Sequence, residues 1–205
     1  MDKFTVHTGV AAALLRSNID TDAIIPSREM KTVSKTGLAG GLFAGWRYVR
    51  AREPDPNFVL NRVNQRGSTL LLAGLNFGCG SSREHAVWAL KEYGIRAIVA
   101  PSFGAIFAGN CVRNGILPVV LAEAQVNALA ASVAADPQGR QLCVDLQRCI
   151  VRDAAGNAYP FEIAASQREM LLKGLDPIAL TLASAALIDA FQAADRRARP
   201  WVYLG

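Results

Sequence analysis

The sequence has few of the residues from which metal centres and disulfide frameworks are built. Its 205 residues include two histidines and four widely separated cysteines, Cys79, Cys111, Cys143 and Cys149. No C-x-x-C pair and no pattern of a secretory leader is present. Because zinc and iron–sulfur sites need clustered thiolates or histidines, we expect free thiols in a reducing cytoplasm and no such site made by this chain alone. A metal, if the function requires one, must be supplied by another molecule.

The chain also lacks a long uninterrupted apolar run and a basic stripe with interleaved aromatic residues. The longest apolar tract, 178–194, is interrupted by Asp189 and Gln192, so it falls short of a membrane span and predicts a core-facing helix. The net charge is +5, and the densest basic cluster, at 196–199, is typical of a solvated tail. The sequence therefore predicts neither a membrane protein nor a nucleic-acid-binding protein.

Strand-like and helix-like segments alternate regularly between residues 68 and 134. Apolar residues make up 51% of the chain, which predicts one soluble domain over 1–205, with a core over about 4–152 and a helical extension over about 160–205. The predicted strands are 4–6, 69–73, 97–100, 117–121, 141–144 and 149–152, and the predicted helices are 83–93, 103–113 and 123–134, with a short helix around 42–49 and helical sequence to about 194. The central β-α-β-α-β-α order indicates an α/β fold with a parallel sheet, whose ligands bind at the carboxyl ends of the strands.

The stretch NFGCGSSREHA, Asn76–Ala86, follows one of these strands and opens a helix. Glycines allow close backbone approach, and a first helical turn offers free N–H groups and partial positive charge, so the stretch predicts an anion-binding turn. The structural alternative is a capping box with Ser81 as the N-cap and Glu84 three residues later. That alternative leaves Arg83 and the second serine unexplained.

Three familiar motifs do not fit this stretch. A dinucleotide fingerprint requires glycine where Arg83 stands, and a phosphate-binding loop of the Walker A type requires a lysine that is absent. The hydrolase pattern G-x-S-x-G is also absent, although Ser81 and His85 are spaced to share a helical face. A hydrolase stays open as a minor alternative.

An earlier segment, NIDTDAIIP, has a turn-forming polar half with two carboxylates and ends at Pro26. Together with NFGCGSSREHA and FGAIFAGNCVRNGILP, in this order, it resembles the small subunits of 3-isopropylmalate dehydratase (isopropylmalate isomerase). The resemblance runs motif by motif from about Phe4 to Leu121. It implies the swivelling β/β/α domain of the aconitase type, with a mostly parallel central sheet flanked by helices.

The family resemblance also implies an activity and a partner. The chain would act with a large subunit that carries a [4Fe–4S] cluster, and together they would isomerise 2-isopropylmalate and 3-isopropylmalate by dehydration and rehydration in leucine biosynthesis. By position, Ser81 would be the catalytic base, and Ser82 and Arg83 would bind a substrate carboxylate. Asp22, with Thr21 beside it, matches the acidic loop of the family, although an Asx-turn is an equal alternative for Asp22. The other carboxylate, Asp20, is expected to be a turn residue.

The segment 27–41 occupies the place of the specificity loop of the family. An isopropyl group calls for an apolar lining, which Met30 provides, whereas Arg28 either faces water or binds an additional carboxylate. Homoaconitate or a methylmalate-type 2-hydroxy acid therefore stays possible as the substrate. A stand-alone domain that binds a small anion is the alternative that is not an enzyme.

Overall fold

Four parallel strands form the sheet at whose edge the site lies. The computed structural model describes residues 1–30, 34–80 and 83–203. The strands β2 (Ala11–Leu14), β3 (Leu70–Ala73), β4 (Ala97–Ala100) and β5 (Leu117–Val120) pair in that order, and all three pairings are parallel. β3 and β4 are buried along their whole length, as strands of a parallel sheet covered by helices usually are.

Three helices follow the last three strands of this sheet. They are α3 (Glu84–Tyr93), α4 (Ala105–Asn114) and α5 (Glu123–Ala134). α3 and α4 both end at glycines with positive φ, Gly94 and Gly115, whose N–H groups bond the last turn of each helix. The predicted β-α-β-α-β-α order is confirmed, with helix and strand ends that differ by at most two residues.

A second, antiparallel sheet combines the first strand of the chain with three strands between residues 142 and 160. Its order is β1 (Val6–Gly9), β6 (Leu142–Asp145), β7 (Ile150–Arg152) and β8 (Ala158–Pro160). The sequence placed β1 two residues too early and missed β2 and β8. The alanines of β2 have low strand propensity, and β8 ends in a proline, so neither gives a strand pattern.

The connection from β2 to β3 is irregular, as predicted, and its described residues contain two single-turn α-helices together with short 3-10 turns. The α-helices are α1 (Thr21–Ile24), which the sequence did not predict, and α2 (Ala44–Arg47), which lies within the predicted helix 42–49. Their apolar side chains share one buried cluster with those of β3, α3 and α4. This packing brings α1 beside the start of α3.

The chain divides into two compact units, Met1–Gly174 and Leu175–Gly205. The first ends with α6 (Ala165–Lys173), and the second contains α7 (Pro177–Leu182) and α8 (Ala185–Ala198). The prediction of a core-facing helix over 178–194 is wrong, because the tract is two helices and none of its residues is buried. An alanine-rich amphipathic pattern specifies a helix but not what its apolar side contacts. In the described ranges, no helix has the length and apolar character to cross a membrane.

Candidate active site

The backbone beyond β3 continues the parallel pairing past the end of the sheet. Gly78 donates a hydrogen bond to the carbonyl of Ile19 at 2.7 Å, on one side. Gly104 donates to the carbonyl of Phe77 at 2.9 Å, on the other side. The loops after β3 and β4 and the turn before α1 therefore meet at one edge of the sheet.

Glycine is required at Gly78 by both conformation and space. Its φ is +74°, and a Cβ atom built there would overlap the ring of Phe107. At Gly104 a Cβ atom would lie 2.5 Å from the carbonyl oxygen of Gly78, so the two loops can approach only without side chains. This close approach leaves backbone atoms lining the space in front of the loops.

A pocket of about 320 Å³ opens at this meeting point. Its lining comes from α1, the loop after β3, the start of α3 and the first turns of α4, namely Thr21, Asn76, Gly78–Gly80, Arg83, Gly104–Phe107 and Asn110. The first turn of α4 contains no acidic residue and has no side-chain cap. Its free N–H groups and the Arg83 guanidinium make the pocket favourable for an anion, and Ile106 and Phe107 add an apolar wall.

Arg83 stands at the N-cap position of α3, with extended backbone angles of φ −102° and ψ 107°. One guanidinium nitrogen, Nη1, donates to the Asp22 carboxylate across a 61-residue separation. The structure therefore brings together two of the residues predicted to bind substrate. α3 begins at Glu84 with Arg83 as its N-cap, and the capping-box alternative falls on Ser81, which lies outside the described residues.

The two acidic residues of the NIDTDAIIP segment have different partners. Asp20 is the N-cap of α1 and accepts a hydrogen bond from the backbone N–H of Ala23 at 2.7 Å, as expected for a turn residue. Asp22 forms an ion pair with Arg83. Thr21 is buried, donates its backbone N–H to the carbonyl of Cys79 at 3.1 Å, and lines the pocket.

The remaining predicted site residues are not in the pocket or are not described. Ser81 and Ser82 lie outside the described residues. The Arg28 side chain is 64% exposed, and its guanidinium lies 3.6 Å from the Glu29 carboxylate. Met30 packs, partly buried, against the hydrophobic cluster. The structure therefore places Thr21 and Arg83 at the pocket, and it does not place Arg28 or Met30 there.

The cysteines do not provide the ligand set of an iron–sulfur cluster. Cys111 is completely buried in α4, and burial raises the pKa of its thiol well above the ordinary value. Cys79 lines the pocket, while Cys143 and Cys149 belong to the other sheet region. Within the described ranges, no three His, Cys, Asp or Glu side chains are grouped to hold a metal ion. The residues present therefore do not fit a cluster bound by this chain.

Sequence reasoning missed four side chains of the pocket, Asn76, Ile106, Phe107 and Asn110. A usable signal existed, because loops that follow adjacent parallel strands meet at the same edge of a sheet. Because the loop after β4 leads directly into α4, the first turn of α4 had to face the loop after β3. His85, by contrast, contacts the ring of Trp88, with ring centroids 4.8 Å apart, and is not among the pocket residues.

Comparisons with known proteins match nearly the whole chain. Residues 1–124 match the model of the aconitase C-terminal domain, and residues 178–203 match the model of the C-terminal domain of 3-isopropylmalate dehydratase small subunits. The chain is 66% identical over 205 residues to a 3-isopropylmalate dehydratase small subunit of Cupriavidus necator, covering 99% of each chain. It is 28% identical to a crystal structure of 3-isopropylmalate dehydratase from Methanocaldococcus jannaschii, with a TM-score of 0.65, covering 91% of this chain and 99% of that one.

Proposed function

Because the chain belongs to the family of 3-isopropylmalate dehydratase small subunits, we propose that it is the small subunit of the hydro-lyase that interconverts 2-isopropylmalate and 3-isopropylmalate in leucine biosynthesis. The observation that supports a catalytic role most directly is the Arg83 guanidinium in the pocket beyond β3. A dicarboxylic acid with a short apolar branch matches the cationic and apolar walls of that pocket. Homoaconitate and methylmalate-type substrates are not favoured, because the identity to an isopropylmalate enzyme is high.

Arg83 binds one carboxylate of the substrate. Its Nη1 is held by Asp22, which leaves the Nε and Nη2 edge for a two-pronged contact with a carboxylate. The N–H groups at the start of α4 add hydrogen-bond donors around the same anion. By the family resemblance, Thr21 and Ser82 belong to the same substrate-binding set. A two-pronged contact with a rigidly held guanidinium fixes the carboxylate and so orients the neighbouring carbon for proton removal.

Ser81 is the base in this proposal. As an alkoxide it takes the proton from the carbon next to a carboxylate, and the hydroxyl group of the adjacent carbon leaves as hydroxide, so that an unsaturated dicarboxylic acid remains. The abstracted proton and the hydroxide together make up the water that is lost, and return of the proton from Ser81 restores the alkoxide. Return of the water with the opposite orientation gives the other isomer. An unassisted serine is too weak an acid for this role, so the proposal requires electrostatic activation of Ser81. Arg83, two residues later in the sequence, and the N-terminus of α3 are suitable groups for it.

Replacement of Ser81 by alanine tests this role. Ser81→Ala is expected to lower kcat by at least about a thousandfold while KM and the association of the subunits change little, because Arg83 and the backbone donors remain. The measurement is steady-state turnover of the assembled complex, with folding checked by circular dichroism. Retention of more than about a tenth of wild-type kcat, a barrier change below roughly 1.4 kcal/mol, would exclude Ser81 as the base.

The family assigns this chain a large-subunit partner, and we infer that the partner carries the [4Fe–4S] cluster in the cytoplasm. The wide separation of the cysteines in this chain supports the assignment of the cluster to the large subunit. After anaerobic reconstitution with iron and sulfide, the isolated chain is expected to bind no stoichiometric cluster. Mixing with the large subunit should restore hydratase activity, followed by absorbance of the unsaturated acid. Turnover by the small subunit alone would contradict the proposal, and anion binding without any turnover in the mixture would favour a stand-alone binding domain.

A further inference from the structure

Glu92, in the last turn of α3, binds three consecutive backbone N–H groups of the irregular connection. Gly37 donates to its Oε1 at 2.6 Å, and Leu38 and Ala39 donate to its Oε2 at 2.5 and 2.8 Å. Gly37 has φ +85°, which turns successive N–H groups toward one side. This arrangement is an anion-binding nest whose anion is a side chain of the same protein.

The carboxylate is held in its charged form by these contacts. Partial burial raises the pKa of Glu92, but the hydrogen bonds from Gly37, Ala39 and Leu38 outweigh it and lower the pKa below the ordinary 4.5. Glu92 is therefore ionised at neutral pH, where charge-assisted bonds to backbone N–H groups are stronger than neutral ones.

The segment held by Glu92 is connected directly to α1. Leu38 and Leu42 are buried in the hydrophobic cluster, and the backbone N–H of Phe43 donates to the carbonyl of Ile24 at 2.7 Å. Ile24 is the last residue of α1. A shift of the nest would therefore move the C-terminal end of α1.

The opposite end of α3 contacts the same short helix. Asp22, in the first turn of α1, pairs with Arg83 at the N-cap of α3. α3 has 10 residues, so it is about 15 Å long and rigid at this length. α1 is thus attached to α3 at both ends, by an ion pair at the pocket and through the nest.

We propose that Glu92 is a positioning residue for the carboxylate-binding pair of the site. By fixing residues 37–39 against α3, it fixes α1, and through α1 it sets the position of Asp22 against Arg83. The inference rests on the proposed function, because its effect is read as binding of a dicarboxylic acid substrate. Glu92 does not itself line the pocket.

The test is Glu92→Gln in the complex assembled with the large subunit. The amide keeps the size of the side chain but loses the charge and one acceptor oxygen, so one or two of the three N–H groups lose their acceptor. We expect KM for isopropylmalate to rise by about fivefold while kcat stays within about twofold. Amide hydrogen exchange of residues 37–39 should become faster.

Measuring Glu92→Gln in the Arg83→Lys variant separates an effect that acts through Arg83 from a general loss of rigidity in the fold. If Glu92 acts through Arg83, Glu92→Gln should change KM by less than about twofold once the guanidinium fork has been removed. Glu169→Gln is the matched control, because Glu169 also lies on an exposed helix surface and pairs with Lys173 at 2.6 Å within α6. It should leave KM unchanged.

Each outcome decides the proposal. A KM unchanged in Glu92→Gln, or raised equally with and without Arg83, would overturn it. Should Glu92→Gln fail to assemble, Glu92→Asp keeps the charge with a shorter reach, and the same two comparisons apply to it. A wild-type complex that does not turn over isopropylmalate would overturn the proposed function, and the inference with it. An active wild type with no change in the variants would overturn the inference alone.

Discussion

Asp22 and Arg83 are 61 residues apart in the chain and form an ion pair at the edge of the pocket. The pair uses Nη1 of the guanidinium, and among the described residues no other side chain bonds to the rest of the fork. Asp22 can therefore orient Arg83 without occupying the edge that a substrate carboxylate needs. The contact links a residue of α1 with the N-cap of α3.

This geometry predicts an order of effects on KM. Arg83→Lys should raise KM by more than about tenfold, because a point charge replaces the planar two-pronged donor. Asp22→Asn should raise KM by about threefold to fivefold, since the neutral side chain orients the guanidinium less firmly. The double variant should resemble Arg83→Lys. Additive effects in a double-mutant cycle on the assembled complex would show that Asp22 contacts substrate independently.

Gly78→Ala should be more damaging than Gly80→Ala. Both glycines have positive φ, +74° and +87°, so each alanine suffers a backbone cost of about 1–2 kcal/mol. Only at Gly78 would the methyl group also overlap the Phe107 ring, whereas at Gly80 the nearest atom, Cβ of Asp20, is at an ordinary 3.4 Å. Overpacking adds about 1–3 kcal/mol. Urea unfolding of the two variants measures the difference, and equal stabilities would mean that Phe107 moves aside without cost.

Three of the four strands of the parallel sheet and the three helices that follow them were predictable, because their apolar runs and the glycines that end α3 and α4 are local features of the sequence. The Asp22–Arg83 pair was only partly predictable. Both residues were chosen from motifs, but their contact depends on how α1 packs, and α1 is a four-residue helix with no periodicity to detect. The nest at Glu92 could not be predicted, since its partners are backbone groups without any side-chain signature.

Thiol labelling should distinguish the pocket cysteine from the helix cysteine. Cys79 is half-buried and lines the pocket, whereas Cys111 is completely buried with a raised pKa and carries little thiolate. Iodoacetamide should modify Cys79 and leave Cys111 unmodified in the folded chain, as read by peptide mass spectrometry. In the assembled enzyme, saturating isopropylmalate should slow the reaction at Cys79. Labelling of Cys79 that substrate does not affect would place the substrate elsewhere.

His7 should make the free energy of unfolding depend on pH. Burial and the nearby Arg96 charge lower the pKa of His7 below its ordinary 6.5, while Nε2 lies 2.7 Å from the Thr69 hydroxyl. As pH falls below 6.5, His7 binds a proton in the unfolded chain before it does so in the folded one. The free energy of unfolding therefore decreases until the pH has passed the lower pKa of His7 in the folded protein. Urea unfolding between about pH 7.5 and about pH 5.5 should show a larger loss in wild type than in His7→Gln. Equal losses would show that the environment of His7 does not disfavour its charge.

Arg28→Ala should barely change turnover of isopropylmalate. The side chain is 64% exposed, and its ion pair with Glu29 at 3.6 Å is of the surface type that contributes little. Arg52→Ala is the contrasting variant, because Arg52 bonds both carboxylate oxygens of Glu29 and the carbonyl of Gly40.

We expect kcat/KM to stay within about twofold for Arg28→Ala, and the unfolding midpoint to fall only for Arg52→Ala. A drop in isopropylmalate turnover of more than about tenfold for Arg28→Ala, roughly 1.4 kcal/mol, would instead place that guanidinium in the assembled site or its support. A substrate panel then identifies the reason, because a residue that binds an additional carboxylate raises KM for a tricarboxylic acid far more than for isopropylmalate.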